Sequence, residues 1–368
     1  MNTADPVDRI SKTLYSAWEN YGDSRRITGI IEVSARVSTN QVFRLELSDR
    51  STIIAKVSSY GSYYLFREDH DRLHLLDTLL GETRYANLLA DALLKDDRIY
   101  TYYDDRVWAI FYQDVPTRHY LPPILSPGQI TSLGGRLAEF HNQCDRIADR
   151  IPLTSKSIKS DIIHLLEIVR LKQSAKIFRL NRRALQTLEE HCELFLMNLD
   201  RIRYGYWRKI PVLIDWNLGN FSVEFAGGGD ETETVDPQKD NFELYSRWDY
   251  DWFRIEPAVL DFYFCARVAS KVGDRTDFSY LATPLLEDRF RYFLRAYHAA
   301  RPLSESDLLF LKEGYRFFIL NYVIREGDHF FRKSYAERLR NEAIAEYLPA
   351  LERLDFSVLT RALEEGAP

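Results

Sequence analysis

The stretch that most constrains this chain is Asp215-Trp216-Asn217-Leu218-Gly219-Asn220, read together with the segments on either side of it. Val212-Leu213-Ile214 reads as a short buried strand, and Phe221-Ser222-Val223-Glu224-Phe225 alternates as a second one. The loop between them carries a carboxylate at its start and an amide oxygen five residues on. The first can receive a proton; the second is a hard oxygen donor for a cation such as Mg²⁺. After a glycine-rich, acidic excursion from Ala226 to Asp240, Phe242 to Trp248 reads as a returning strand that ends in Asp249-Tyr250-Asp251. Asp-x-x-x-x-Asn alone arises by chance in a chain of this length, so its meaning rests on what precedes and follows it.

The chain opens with an amphipathic helix from about Val7 to Tyr21, with Ile10, Leu14 and Trp18 on one face. Strand-like runs follow over Ile27 to Val37, Gln41 to Leu47 and Ser51 to Val57. Ser38-Thr39-Asn40 and Ser48-Asp49-Arg50 supply the turns of an antiparallel meander. Its third strand holds a lone lysine, Lys56, among apolar residues. Such a residue is either an edge lysine lying along apolar surface or a lysine that grips phosphates. Gly61 to Leu80 reads as a helix with an apolar stripe of Leu65, Phe66, Leu73, Leu76 and Leu80. Glu68 shares a face with Leu65, Leu75 and Leu79. An inward carboxylate is costly unless paired, so a Lys56–Glu68 ion pair is expected, with Asp69 as the alternative partner. Ile99 to Tyr103 and Val107 to Tyr112 add two strands. Phe111-Tyr112-Gln113-Asp114-Val115-Pro116 then reads as a connector on whose backbone a nucleotide base could dock.

From Ser126 the character is helical. Ser126-Pro127-Gly128-Gln129 is an N-cap, a helix-compatible proline and a capping-box glutamine. Ile130, Leu133, Leu137 and Phe140 follow at helical spacing, and His141 ends the stripe, read as a satisfied core histidine with a ligand as the alternative. Further helices are expected over Ser157 to Arg170, Ser174 to Asp200, Pro257 to Val272, Glu287 to Ala300, Glu305 to Arg325 and Ala336 to Leu354. Trp252, Tyr322, Glu326 and Asp328 are either a pocket for a cation or a solvated helix end beside core aromatics. The net charge of −6 comes without a dominant basic stretch, so no nucleic-acid partner is expected. Cys144, Cys192 and Cys265 are widely spaced and show neither metal-ligand nor disulfide patterning. With no signal-like N-terminus and no membrane-length apolar run, the expectation is a soluble, cytoplasmic protein with no membrane partner.

In this order, the lysine-bearing meander, the glutamate-bearing helix, the connector, the helix ending Ala138-Glu139-Phe140-His141 and the Asp-x-x-x-x-Asn loop resemble the aminoglycoside phosphotransferase/choline kinase-like family. The resemblance runs from about Ile27 to Tyr347. The family's His-Gly-Asp-Leu-His-Pro-Gly-Asn is matched here by Leu213-Ile214-Asp215-Trp216-Asn217-Leu218-Gly219-Asn220, which keeps Asp, the second Gly and Asn. Trp248-Asp249-Tyr250-Asp251-Trp252 looks like the family's Ile-Asp-Trp/Phe-Glu segment, and Leu260-Asp261-Phe262 like its Asp-Leu-Ala, where the aspartate ties down the loop.

The resemblance implies an α+β, protein kinase-like bilobal fold. Residues 1–112 would form a small antiparallel β lobe with one helix that binds nucleotide, and 113–368 a larger, mainly helical catalytic lobe. It implies transfer of the γ-phosphate of ATP, with Mg²⁺, to a hydroxyl of a small molecule such as an amino alcohol, sugar, homoserine or aminoglycoside. Lys56, held by Glu68, would orient the phosphates under Ser38, Thr39 and Asn40, with Tyr112 and Gln113 at the base. Asn220 and Asp249 would be the metal ligands and Asp215 the catalytic carboxylate. Leu213, standing where the family has a histidine, would brace the loop only by packing. Alternative readings are an atypical kinase of protein serine or threonine and a nucleotide-binding pseudokinase.

Overall fold

The computed structural model describes residues 6–34, 40–225, 240–275 and 279–364. The chain divides into two compact units, Met1–Thr117 with Ser246–Asp251, and Arg118–Tyr245 with Trp252–Pro368.

In the first unit, helix α1 (Pro6–Tyr21) precedes strands β1 (Ile27–Glu32), β2 (Asn40–Leu47) and β3 (Thr52–Ser58). Helix α2 (Tyr63–Leu80) and strands β4 (Leu94–Lys95), β5 (Arg98–Ile99), β6 (Thr101–Tyr103) and β7 (Trp108–Gln113) follow. The main sheet runs β1-β2-β3-β7-β6 with antiparallel neighbours. The meander is therefore as expected, while Ser38, Thr39 and the end of the first expected strand lie outside the described residues. Strand alternation sends Ile53, Ala55 and Val57 into a core with Leu14, Ala17 and Trp18 of α1. Each such large side chain contributes about 1.5–3 kcal/mol on burial, which fixes α1 on that face. Ile54 and Lys56 occupy the opposite face. There Ile110, Tyr112 and Ile99 pack with Ile54 and with Phe66 of α2.

The phase of α2 differs from the expectation. Its buried residues are His70, Leu73, Leu76 and Leu80, while Leu65 is exposed. At 3.6 residues per turn, Glu68 lies about 160° round the helix from His70 and Asp69 about 100°. The one polar side chain among the buried residues of α2 is thus His70. The sequence pattern missed it because leucines on both faces blur the stripe.

In the second unit, α3 (Pro127–Ile147) has the expected capping box at Ser126 and Gln129. Helices α4 (Ile158–Val169), α5 (Ser174–Phe178) and α6 (Arg182–Arg201) follow, then β8 (Ile210–Val212), β9 (Phe221–Phe225), β10 (Phe242–Arg247) and β11 (Arg254–Glu256). β8 pairs with β11 and β9 with β10. The remaining helices are α7 (Phe262–Ala269), α8 (Asp288–Ala300), α9 (Glu305–Phe318), α10 (Gly327–Phe330), α11 (Lys333–Glu342), α12 (Leu348–Arg353) and α13 (Ser357–Glu364). Two expected continuous helices are interrupted by π-helical turns, Ile319–Arg325 and Ala343–Tyr347. The second lies just before Pro349, which has no N–H to continue the α-helical ladder. α3 and α8 meet at Gly134, where a Cβ would run into the backbone carbonyl of Phe293. Only glycine permits that approach.

Cys144, Cys192 and Cys265 are buried free thiols. Among the described residues no helix is long and apolar enough to cross a membrane.

Candidate active site

The segment after β10 is knitted into the first unit by its own backbone and side chains. Ser246 Oγ donates to Pro116 O at 2.7 Å, Arg247 N–H to Leu88 O at 2.7 Å, and Ala90 N–H to Tyr250 Oη at 2.7 Å. This delivers Asp249 and Asp251 to the sheet face that bears Lys56. Lys56 Nζ forms a buried ion pair with Asp251, so its dominant partner is Asp251 and not Glu68. Asp249 and the expected alternative, Asp69, also act on the lysine through their charge. Burial alone would discharge Lys56, but these carboxylates overcome it and hold its pKa above the usual value. Asp251 is likewise kept below the usual carboxylate range, its desolvation outweighed by Lys56, by a hydrogen bond from Asn40 and by the charge of His70. Asp249 is pushed up by burial and by the neighbouring Asp251, against the pull of Lys56 and Arg247. One Asp249 oxygen accepts the Asp251 amide at 3.0 Å, which fixes the two carboxylates side by side.

Tyr112 lies on the same sheet face, with its hydroxyl buried and no hydrogen-bond partner among the described residues. Burial, Tyr250 and Asp251 raise its pKa well above that of a free tyrosine. Gln113 is exposed, and its N–H already donates to Asp91 O at 2.8 Å.

In the second unit, the loop after β8 is a tight double turn. Asp215 N–H donates to Leu213 O at 2.8 Å and Trp216 N–H to Ile214 O at 2.9 Å. Ile214, at the centre of the first turn, has φ +60°. An i→i+2 bond around a residue of positive φ is the rare, strained hand of γ-turn. A β-branched residue there costs about 1–3 kcal/mol and persists only where its surroundings hold it. Asp261 holds it: one carboxylate oxygen accepts Ile214 N–H at 2.7 Å, the other Trp216 Nε1–H at 2.8 Å. The second oxygen also meets His141 Nε2 at 2.9 Å, while His141 Nδ1 meets the Tyr297 hydroxyl at 2.7 Å. His141 is fully buried and satisfied, as expected of a core histidine. Asp215 itself accepts the Asn217 amide at 3.2 Å. Asn220 Nδ2 donates to Asp215 O at 3.3 Å, which directs the amide's nitrogen into the loop.

No protein-family model matches the chain, and no curated protein matches its sequence. Solved structures match its fold. A microcompartment-associated aminopropanol kinase superposes with a TM-score of 0.61 at 16% identity, over 96% of this chain and 98% of that one. An amicoumacin kinase in complex with AMP-PNP and Ca²⁺ gives 0.60 at 12% identity, over 97% of each chain. Plasmodium vivax ethanolamine kinase gives 0.53 at 10% identity, over 96% and 97%. This is the aminoglycoside phosphotransferase/choline kinase-like fold.

In the second unit of this phosphotransferase-like fold, Trp252 stacks on Tyr322 with centroids 4.0 Å apart and Phe330 edge-on at 5.4 Å. Rings this close have no room for a cation between them. Arg254 Nε donates to the Tyr322 hydroxyl at 3.1 Å and Arg254 Nη2 to Asp161 at 2.6 Å. Asp328 pairs with Arg340 at 2.8 Å. Burial pushes the Glu326 carboxyl up to about 7, although the Arg325 guanidinium stands 3.1 Å away. Of the four expected cation-pocket residues, Asp328 is thus a helix-end ion pair, and Trp252 and Tyr322 stack on each other. Two features of this fold's site escaped the sequence reading: Asp251 as the lysine's partner, and Trp216 as a donor to Asp261. The Asp-x-Asp spacing was the available signal for the first; the second had none.

Proposed function

We propose that the protein is an ATP- and Mg²⁺-dependent phosphotransferase acting on a hydroxyl of a small molecule. In this proposal residues 1–112 bind the nucleotide and 113–368 carry the catalytic carboxylate and the acceptor. The observation that carries it is the buried group of Lys56, Asp249 and Asp251. Buried charges of this kind are costly unless paired and hydrogen-bonded, and two carboxylates here share one ammonium group.

The donor set fits the metal. Among the described residues no cluster of three or more His, Cys, Asp or Glu side chains is gathered as a cage. Mg²⁺ does not need one, since it keeps several waters and takes one or two carboxylates together with substrate phosphates. Burial and the neighbouring Asp251 raise the pKa of Asp249 despite the charges of Lys56 and Arg247. Asp249 and the amide oxygen of Asn220 are the assigned ligands, with Asp251 beside Asp249. When bound, Mg²⁺ would supply neutralisation of charge on the phosphoryl oxygens. Lys56 holds the α- and β-phosphates, and Asn40 completes the polar surroundings of Asp251. Ser38, Thr39, Glu68, Tyr112 and Gln113 are assigned supporting contacts to the nucleotide. Asp215 orients the acceptor hydroxyl and takes its proton, a role that needs no raised pKa because proton transfer can lag phosphoryl transfer in a loose transition state.

The matched structures include kinases of aminopropanol and ethanolamine, which supports an amino alcohol among the candidate acceptors. The test is turnover of ATP–Mg²⁺ against a panel of amino alcohols, sugars, homoserine and aminoglycosides, read as labelled phosphate on the acceptor. Transfer to one class is the expected result. Binding of ATP without transfer to any acceptor, small molecule or protein, would establish the pseudokinase reading instead.

A further inference from the structure

The strained turn at Ile214 sets a question that the assigned catalytic roles leave open. Asp215 follows directly on a β-branched residue at φ +60°, and its own N–H closes the turn onto Leu213 O. A backbone of this kind relaxes unless it is over-determined, and relaxation would re-aim the carboxylate that follows. The holding group is Asp261, buried with 0% exposure. A buried carboxylate with too few donors would itself be unstable, so what holds Asp261 ultimately holds Ile214.

Two side chains do this besides the Ile214 amide. Trp216 is among the largest fully buried side chains, and its indole N–H has one proton to give, which goes to Asp261 Oδ2 at 2.8 Å. Its ring is fixed edge-on by Phe221 at 5.7 Å and Phe140 at 6.2 Å. His141 faces the same oxygen at 2.9 Å. Asp261 can only accept, so the proton sits on Nε2. Burial lowers the pKa of the imidazole, so the ring is neutral and its Nδ1 accepts from the Tyr297 hydroxyl at 2.7 Å. Tyr297→His141→Asp261, Trp216→Asp261 and the Ile214 amide→Asp261 thus all converge on one accepting carboxylate.

We infer that Trp216 is a positioning residue for the reaction, acting beside His141 through Asp261 to clamp Ile214 in the strained turn that aims Asp215. Trp216 therefore braces the loop of its own catalytic aspartate from the next position in the chain. The inference rests on the proposed phosphotransferase function for its kinetic consequence, and on the geometry alone for its structural one.

The test uses Trp216→Phe, which keeps the ring and removes the N–H, and Ile214→Gly, which removes the strain because glycine takes positive φ freely. Trp216→Phe should lower kcat about tenfold or more, the scale of a small misplacement of a reacting group, with the KM for ATP within about twofold of wild type. Adding Ile214→Gly should restore a large part of the lost kcat. Hydrogen exchange of the segment 211–220 should accelerate in Trp216→Phe and recover in the double variant, a readout independent of turnover. If Trp216→Phe fails to fold, Tyr297→Phe replaces it and should show a smaller change of the same pattern. Unchanged kcat and exchange in the single variant, or no recovery in the double one, overturns the inference and leaves Trp216 as packing. If wild type phosphorylates nothing, the proposed function fails, and the exchange experiment alone still decides the clamp.

Discussion

Lys56 Nζ and the carboxylate of Asp251 pair inside the first unit with only 8% and 7% of their side chains exposed. Asp249 and Asp69 act on the same lysine, so one ammonium group serves several carboxylates. Lys56→Met leaves those carboxylates buried without it, a change that should cost about 3–5 kcal/mol. Because a divalent cation can then take the vacated charge, Mg²⁺ should raise the Tm of Lys56→Met more than that of wild type. Thermal unfolding with and without Mg²⁺ checks this. Equal Mg²⁺ shifts in both proteins would remove the acidic pair as a cation site.

Asp249→Asn and Asp215→Asn should separate the nucleotide from the acceptor. Loss of Asp249 removes a charge assigned to the metal, so Mg²⁺-dependent ATP binding and turnover should both weaken. Loss of Asp215 should cut kcat by about 10²–10⁴-fold while ATP binding stays within about twofold, because the group acts on the acceptor. Titration calorimetry with ATP–Mg²⁺ beside steady-state kinetics tests the pair, and identical profiles for the two variants contradict the assignment.

The carboxyl of Asp77 is raised to about 7, by burial first and then by the charge of Asp91 and a hydrogen bond to it. A folded pKa above the unfolded value near 4 means that the folded protein binds the extra proton. Its stabilising effect is full below about pH 4 and is lost as pH rises through about 7. After allowing for the water this half-buried group still meets, the loss is about 1–2 kcal/mol. Asp77→Asn should flatten the fall in stability over that window, measured by chemical denaturation at pH 5 and pH 8. A parallel decline in the variant would place the titration elsewhere.

Gly134 marks the crossing of α3 and α8, where an added Cβ meets the carbonyl of Phe293. Gly134→Ala gains helix propensity but must separate the two helices, so a net loss of about 1–3 kcal/mol is expected. A Tm at or above wild type would show that the crossing can yield.

Local pattern was enough for much of this molecule. The meander, the helical character after Ser126, the Ser126 capping box and the core role of His141 follow from alternation, helical spacing and turn chemistry, which act over a few residues and are written in them. Lys56 was conspicuous for the same reason, as a charge in an apolar strand.

Its partner was not legible, because an ion pair depends on which distant segment is brought to the sheet face. Asp251 is 195 positions away and arrives there through hydrogen bonds from the Arg247 amide to Leu88 O and from the Ala90 amide to the Tyr250 hydroxyl. The phase of α2 was ambiguous for a related reason: leucines on two faces leave the choice to whatever packs against them, and the sheet selected His70, Leu73, Leu76 and Leu80. The loop after β8 shows the division most plainly. The sequence by itself determined that Asp215 stands between two strands with Asn220 five residues on, and that the side chain of Leu213 can give no hydrogen bond to brace it. Only the tertiary structure decided that Ile214 takes a positive φ and that Asp261, Trp216 and His141 converge to hold it there. A strained backbone is invisible to local propensity, since what keeps it is the convergence of groups far apart in the chain on one buried carboxylate.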